Sequence, residues 1–261
     1  MMNAKVIVLA NQKGGVAKTT TTKALGLGLA HSGKKVLMID LDASGNLSYG
    51  MGIQNVNDYC GIADLLSQCM KGKKSDIEDL IVHLPVIDLL IGNQDLESLN
   101  VSLASYADGL FYLDEIIGSL RAQYEYILID TMPVFGTLVR AAMIAADQII
   151  IPIMPEYYSV EGMQRLLSEI ASVRKRFNPK LELCGLLPTR VDIRLKNEHQ
   201  RFLRQLYQTY HNECVIFEYI PNSTDLSQSS QGMDMYESAA KSEAVKAYQS
   251  LTDHILQEET K

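Results

Sequence analysis

Residues 8–20 read Val8-Leu9-Ala10-Asn11-Gln12-Lys13-Gly14-Gly15-Val16-Ala17-Lys18-Thr19-Thr20. An apolar strand runs into a glycine-rich turn, and the turn stops at Lys-Thr-Thr, where a helix is expected to begin. A phosphate chain needs those parts together. Gly14 and Gly15 let backbone N–H groups of the turn, from Gly14 to Thr20, converge on oxygens without a Cβ in the way. The new helix points its positive end inward, Lys18 supplies a full charge, and the Thr19 hydroxyl reaches Mg²⁺. The spacing approaches G-x-x-x-x-G-K-[ST], with two departures. Ala17 stands where the second glycine belongs, and an additional lysine, Lys13, sits at the entrance of the turn.

The rest of the chain suits an α/β protein. At 261 residues, with 47% hydrophobic and 21% charged residues, it can bury a substantial core as a single domain spanning 1–261. No run of about 18 uninterrupted apolar residues is present, so no segment reads as a membrane span. Met1-Met2-Asn3-Ala4-Lys5 leads directly into the first strand, an arrangement expected of a protein with no signal peptide. The four cysteines, Cys60, Cys69, Cys184 and Cys214, lack C-x-x-C spacing, which suits reduced thiols in a cytoplasm. The five histidines are scattered without metal-ligand spacing.

Charge is uneven along the chain. The net charge is −7, yet Arg165–Arg204 holds ten basic residues against four acidic ones, a local +6. Such a stretch is either an electrostatic footprint for nucleic acid or the solvated faces of amphipathic helices.

Apolar runs alternate with helix-period segments, the pattern of βαβ units and a mostly parallel twisted sheet with helices on both faces. Strands are expected near 6–10, 35–40, 86–91, 126–130, 148–152, 181–187 and 215–217. Helices are expected near 19–31, 61–70, 109–123, 159–177, 198–210 and, unbroken, 236–257. Two strands end in carboxylates. Val36-Leu37-Met38-Ile39-Asp40-Leu41-Asp42 places acidic residues two apart, both projecting to the same side, and Tyr126-Ile127-Leu128-Ile129-Asp130 is apolar enough to be buried on both faces. Switch-type nucleotidases put metal and water ligands at such strand ends.

The string Lys13-Gly14-Gly15-Val16-x-Lys18-Thr19-Thr20 resembles the deviant Walker A box of the ParA/MinD ATPases. The resemblance covers nearly the whole chain and implies a P-loop nucleotidase fold, ATP and Mg²⁺ as cofactors, and ATP hydrolysis. It implies that Lys13 reaches across a homodimer to the nucleotide of the other subunit. Asp42 would position the attacking water, and Asp40 and Asp130 would hold the metal shell. Where the family usually continues with proline and glutamine, this chain has Ala43-Ser44, and one of two family prolines is replaced by Met132 before Pro133. Ala146–Pro152 followed by Glu156-Tyr157-Tyr158-Ser159-Val160-Glu161-Gly162 follows the family's strand-to-helix stretch, which brings Glu156 to the nucleotide. Gly185-Leu186-Leu187-Pro188-Thr189-Arg190 and Ile220-Pro221-Asn222 resemble the loops that shape the adenine pocket.

Many relatives carry an arginine after that second proline, whereas Asn222-Ser223-Thr224-Asp225-Leu226 contains no cation. DNA contacts are therefore expected from Arg190, Arg194, Arg201 and Arg204. The resemblance implies a nucleoid-associated partition ATPase that binds nonspecific double-stranded DNA, is stimulated by a ParB-like partner, and has no N-terminal helix-turn-helix domain. Two alternatives remain open: a MinD-like membrane-cycling ATPase, which the acidic carboxyl-terminal sequence disfavours, and a nucleotide-binding scaffold with little hydrolysis.

Overall fold

Side chains alternate across a strand, and here both faces are buried. In β1 (Lys5–Leu9) Val6 and Val8 enter one apolar core while Ile7 and Leu9 enter another. β2 (Val36–Leu41) divides in the same way, with Leu37 and Ile39 on one side and Val36 and Met38 on the other. β5 (Tyr126–Thr131) places Ile127 and Ile129 opposite Tyr126 and Leu128. Their unbroken apolar sequence follows from that double burial.

The computed structural model describes residues 3–73, 77–156, 159–192, 194–223 and 232–258. Strands β3 (Ile81–His83), β4 (Asp88–Leu90), β6 (Gln148–Ile153), β7 (Glu182–Pro188) and β8 (Val215–Ile216) complete one eight-stranded sheet, ordered β3-β4-β2-β5-β1-β6-β7-β8. Its neighbours run parallel except the β3–β4 pair, so the expectation of a mostly parallel sheet holds.

Helix α1 (Lys18–His31) covers one face together with the carboxyl-terminal helices α9 (Met235–Ser238) and α10 (Glu243–Glu258). Helix α1 is wedged so tightly that a Cβ on Gly26 would come within 2.7 Å of Met38 Sδ, and one on Gly28 within 2.4 Å of Thr252 Oγ1. Short helix α2 (Asn46–Gly50) follows β2. The opposite face carries α3 (Ile62–Met70), α4 (Asp95–Ser102), α5 (Tyr112–Leu120), α6 (Thr137–Ala145), α7 (Ser159–Arg176) and α8 (Lys196–Tyr210). At the amino-terminal edge of the sheet, Lys5 Nζ lies 3.4 Å from Glu258 Oε2, joining the start of β1 to the end of α10.

Several expectations change. The last helix is two: Ala239–Ser242 forms a tight turn, with the Ser242 N–H donating to the Ala239 carbonyl, before Ser242 accepts the first bond of α10 from Lys246. Helices α2 and α4 and strand β3 carry too few periodic apolar residues to announce themselves. Helix α6 is set by a tertiary contact, since Asn100 Oδ1 accepts the Leu138 N–H at 3.0 Å. Tyr157 and Tyr158 of the strand-to-helix stretch, and Thr224 to Leu226 of the second pocket loop, lie outside the described residues.

Candidate nucleotide site

The turn after β1 rises at the carboxyl-terminal edge of the sheet and lines a cleft of about 1040 Å³. Asn11 sets its start: Nδ2 donates to the Pro152 carbonyl at 2.6 Å and Oδ1 accepts the Lys13 N–H at 3.0 Å. Gly14, Gly15, Ala17, Lys18, Thr19 and Thr20 all line the cleft, and α1 begins at Lys18 with its amino terminus directed there. Gly15 and Ala17 both adopt left-handed backbone, at φ 75° and 65°. For Ala17 this is the conformation a glycine at that position would supply without strain. Val16 is buried, with its carbonyl accepting the Thr189 hydroxyl at 3.0 Å.

The two lysines of the turn part company. Lys18 is 7% exposed, and its Nζ donates to the Lys13 carbonyl at 3.3 Å across the loop. Burial lowers its pKa, and the charges of Asp130 and Asp42 act against that. Lys13 points outside and forms an ion pair with Glu156, both side chains being exposed. Neither of those two residues lines the cleft.

The acidic residues also separate. Asp42 lines the cleft, with Oδ1 accepting the Ser44 N–H at 2.9 Å and the Ser44 hydroxyl at 2.8 Å. Ser44, one of the two replacements for the family's proline and glutamine, thus fixes the carboxylate. Asp40, the other carboxylate expected at the metal shell, already has protein partners. Fully buried, it accepts the Ser48 N–H and hydroxyl on Oδ2, both at 2.8 Å, and the Asp42 N–H on Oδ1 at 3.2 Å, so it anchors α2 to the end of β2.

Asp130 is fully buried one strand away, with a long 3.5 Å contact from the Thr22 hydroxyl to Oδ1, while Oδ2 has no hydrogen-bond partner. Burial, reinforced by the charge of Asp40, raises its pKa, and a hydrogen bond from Thr19 and the charge of Lys18 oppose the rise. A buried carboxylate oxygen with nothing to bind, beside the Thr19 hydroxyl, fits a hydrated divalent cation. Among the described residues no group of three or more His, Cys, Asp and Glu side chains converges on a metal. A cation here would take its remaining ligands from water and phosphates, as Mg²⁺ commonly does.

Of the expected base-pocket residues, Thr189, Pro221 and Asn222 line the cleft. Pro188 is buried and acts through its carbonyl, which accepts the Ile220 N–H at 2.7 Å. The expected DNA residues divide. Arg190 lines the cleft and donates to the Gly15 carbonyl at 3.1 Å. Arg194 is held in a two-point pair by Asp192, at 2.9 and 2.8 Å, so its charge is matched locally. Arg201 and Arg204 are exposed one turn apart on α8. Ser48 had no part in the sequence analysis, and Ser44 entered it only as a departure from the family's pattern. An Asp-x-Ser turn could have revealed Ser44, but nothing local links Ser48 to Asp40.

A model of the AAA domain family matches residues 4–183. The chromosome-partitioning ATPase Soj of Treponema pallidum is 32% identical over 255 residues, 97% of each chain. The chromosome partitioning protein ParA of Caulobacter vibrioides is 36% identical over 193 residues, 73% of this chain and 71% of its own. An uncharacterised Mycobacterium tuberculosis protein is 35% identical over 203 residues, and the chain spans 63% of that relative's length. Cobyrinic acid a,c-diamide synthase from Mycobacterium smegmatis, solved with an ATP analogue and magnesium, superposes with a TM-score of 0.83 at 28% identity, covering 97% of this chain and 95% of its own. A Cyanothece McdA variant solved as its ATP complex shares the fold, with a TM-score of 0.87 at 23% identity over 98% and 97% of the two chains. A phosphate-binding turn bearing two lysines, set on this sheet order and matched along its whole length by Soj, leaves one assignment: the chain belongs to the ParA/Soj family of P-loop ATPases.

Proposed function

We propose that the chain is a partition ATPase, working as one unit over 1–261, that binds ATP with Mg²⁺ and closes into an ATP-sandwich homodimer. The observation that carries this reading is the separation of the two lysines: Lys18 is buried at the cleft while Lys13 is outside it, paired with Glu156. A second lysine directed away from its own cleft is suited to a nucleotide held by another subunit.

In this reading the loop N–H groups and Lys18 bind the phosphates, and Thr189, Pro221 and Asn222 border the base. Thr19 and Asp130 hold Mg²⁺, which when bound neutralises phosphate charge. Asp42, fixed by Ser44, orients a water for attack. Lys13 exchanges Glu156 for the phosphates of the facing subunit. The dimer then holds nonspecific duplex DNA through a basic face that includes Arg201 and Arg204, and a ParB-like partner stimulates turnover and release. The setting is the cytoplasm, on the nucleoid.

Three observations bear on the alternatives. No helix among the described residues is long and apolar enough to cross a membrane. The apolar face of α10 (Val245, Tyr248, Leu251 and Ile255) is buried against α1 and the sheet, which disfavours lipid insertion by that helix. Ala17 in left-handed backbone supports a weakened site and keeps the low-turnover scaffold as the second reading. ATPase rates with and without duplex DNA, together with light scattering in a non-hydrolysable analogue, separate the two. An ATP-dependent dimer whose turnover rises on DNA is expected, and ATP binding with no dimer and no turnover would replace it with the scaffold.

A further inference from the structure

Three consecutive residues beyond β7 tie the two walls of the cleft together. The Thr189 hydroxyl donates to the Val16 carbonyl at 3.0 Å, and the Arg190 guanidinium donates to the Gly15 carbonyl at 3.1 Å. The Val191 N–H donates to the Ile220 carbonyl at 3.1 Å, while its own carbonyl accepts from Asn222 at 2.9 Å. Arg190 does this from left-handed backbone at φ 55°, a conformation that side-chain-bearing residues avoid unless their surroundings impose it. Hydrogen bonds at Thr189 and Val191 impose it on both sides.

The consequence lies in the planarity of the peptide. In a trans peptide the carbonyl and the N–H point in opposite directions. The Gly15 carbonyl shares its peptide with the Val16 N–H, and the Val16 carbonyl shares its peptide with the Ala17 N–H. Drawing the two carbonyls toward Thr189 and Arg190 therefore turns the Val16 and Ala17 N–H groups away from those two side chains. Converging N–H groups are what an oxyanion of phosphate needs. The same two peptides lie between Gly15 and Ala17, the two left-handed residues of the loop.

We propose that Arg190, together with Thr189, is a positioning residue for the nucleotide site, and that by gripping the Gly15 carbonyl it aims the Val16 N–H at bound phosphate. This rests on the reading of the loop as an ATP site. It also assigns Arg190 to the nucleotide rather than to DNA. Loss of the grip frees a loop that contains a strained alanine, so nucleotide affinity is where the loss appears.

The test compares Arg190→Gly, which keeps the left-handed backbone free of strain while removing the guanidinium, with Arg190→Lys, which keeps a cationic donor. ATP affinity with Mg²⁺ is measured by calorimetric titration, and DNA retention is measured against salt. Arg190→Gly should weaken ATP binding roughly ten- to a hundred-fold, the scale of one lost charge-assisted hydrogen bond. Arg190→Lys should recover part of that loss, and KM should rise more than kcat falls. The salt dependence of DNA binding should stay as in the unmodified protein, whereas Arg201→Ala should reduce its slope by about one. Unchanged ATP affinity in Arg190→Gly, no recovery in Arg190→Lys, or a DNA slope reduced by about one in Arg190→Gly would each overturn the proposal. Lys18→Ala is the reference: normal ATP binding there removes the nucleotide site itself, while lost binding there beside a normal Arg190→Gly removes only the role given to Arg190.

Discussion

Replacing Ala17 with glycine isolates the energy of one backbone angle. Ala17 stands at φ 65° and ψ 30°, immediately before the first residue of α1, and makes no side-chain cap. A left-handed conformation costs an L-residue about 1–2 kcal/mol, and glycine avoids that cost. Against that gain, glycine enlarges the unfolded ensemble by about 0.4–1 kcal/mol. The net stabilisation of Ala17→Gly is therefore about 0–1.6 kcal/mol. For a chain of this size each kcal/mol moves the melting midpoint by about 2–4 °C. Affinity is a separate matter. The carbonyl before Ala17 is already held by Thr189, and the one before that by Arg190, so the left-handed turn is built into the folded loop rather than imposed by ligand. Most of the relief should then appear in stability, and ATP should tighten by less than the roughly five- to thirty-fold that 1–2 kcal/mol would give in binding alone. Thermal and chemical denaturation, paired with calorimetric ATP titration, measure both quantities. A melting point unchanged or lowered, with ATP affinity raised by the full factor, would refute the placement of the strain in the folded chain.

Lys18→Ala should abolish measurable ATP binding in equilibrium titration, because a buried phosphate chain is left without its cation. Lys13→Ala should still bind ATP yet fail to form the nucleotide-dependent dimer in light scattering, since Lys13 stands outside its own cleft. Asp42→Ala should bind ATP, dimerise and persist in that state, with turnover lost in a phosphate-release assay. Asp130→Asn should raise the Mg²⁺ concentration needed for half-maximal ATP binding, as an amide carries no charge to replace that of the buried carboxylate.

What the sequence disclosed and what it hid follow from the range of the interactions. The central strands were legible because burial on both faces writes an unbroken apolar run, as in Tyr126 to Ile129. The phosphate loop was legible because its glycines, lysines and threonines are adjacent in the chain. Strand β3 is three residues long and pairs antiparallel only because β4 offers an edge, so no local pattern could announce it. The break between α9 and α10 was hidden by a helix-forming composition that Ser242 interrupts through its backbone. At the site, Asp40 reads like Asp42 in the sequence, and only the position of Ser48 eight residues later distinguishes anchor from cleft residue. The Arg190 contact was hidden because charge in a sequence has no direction: its guanidinium reaches back 175 residues to Gly15.

The Lys5–Glu258 pair gives the molecule a practical geometry. Strand β1 starts, and α10 finishes, at the edge of the sheet remote from the nucleotide cleft, with the two side chains 3.4 Å apart. A short linker from residue 258 to residue 5 would thus close the backbone into a ring without crossing the cleft, and new ends could be opened in an exposed connection elsewhere. The same edge is the place for a fluorophore or a surface tether, where a reporter leaves the phosphate loop and Lys13 unobstructed.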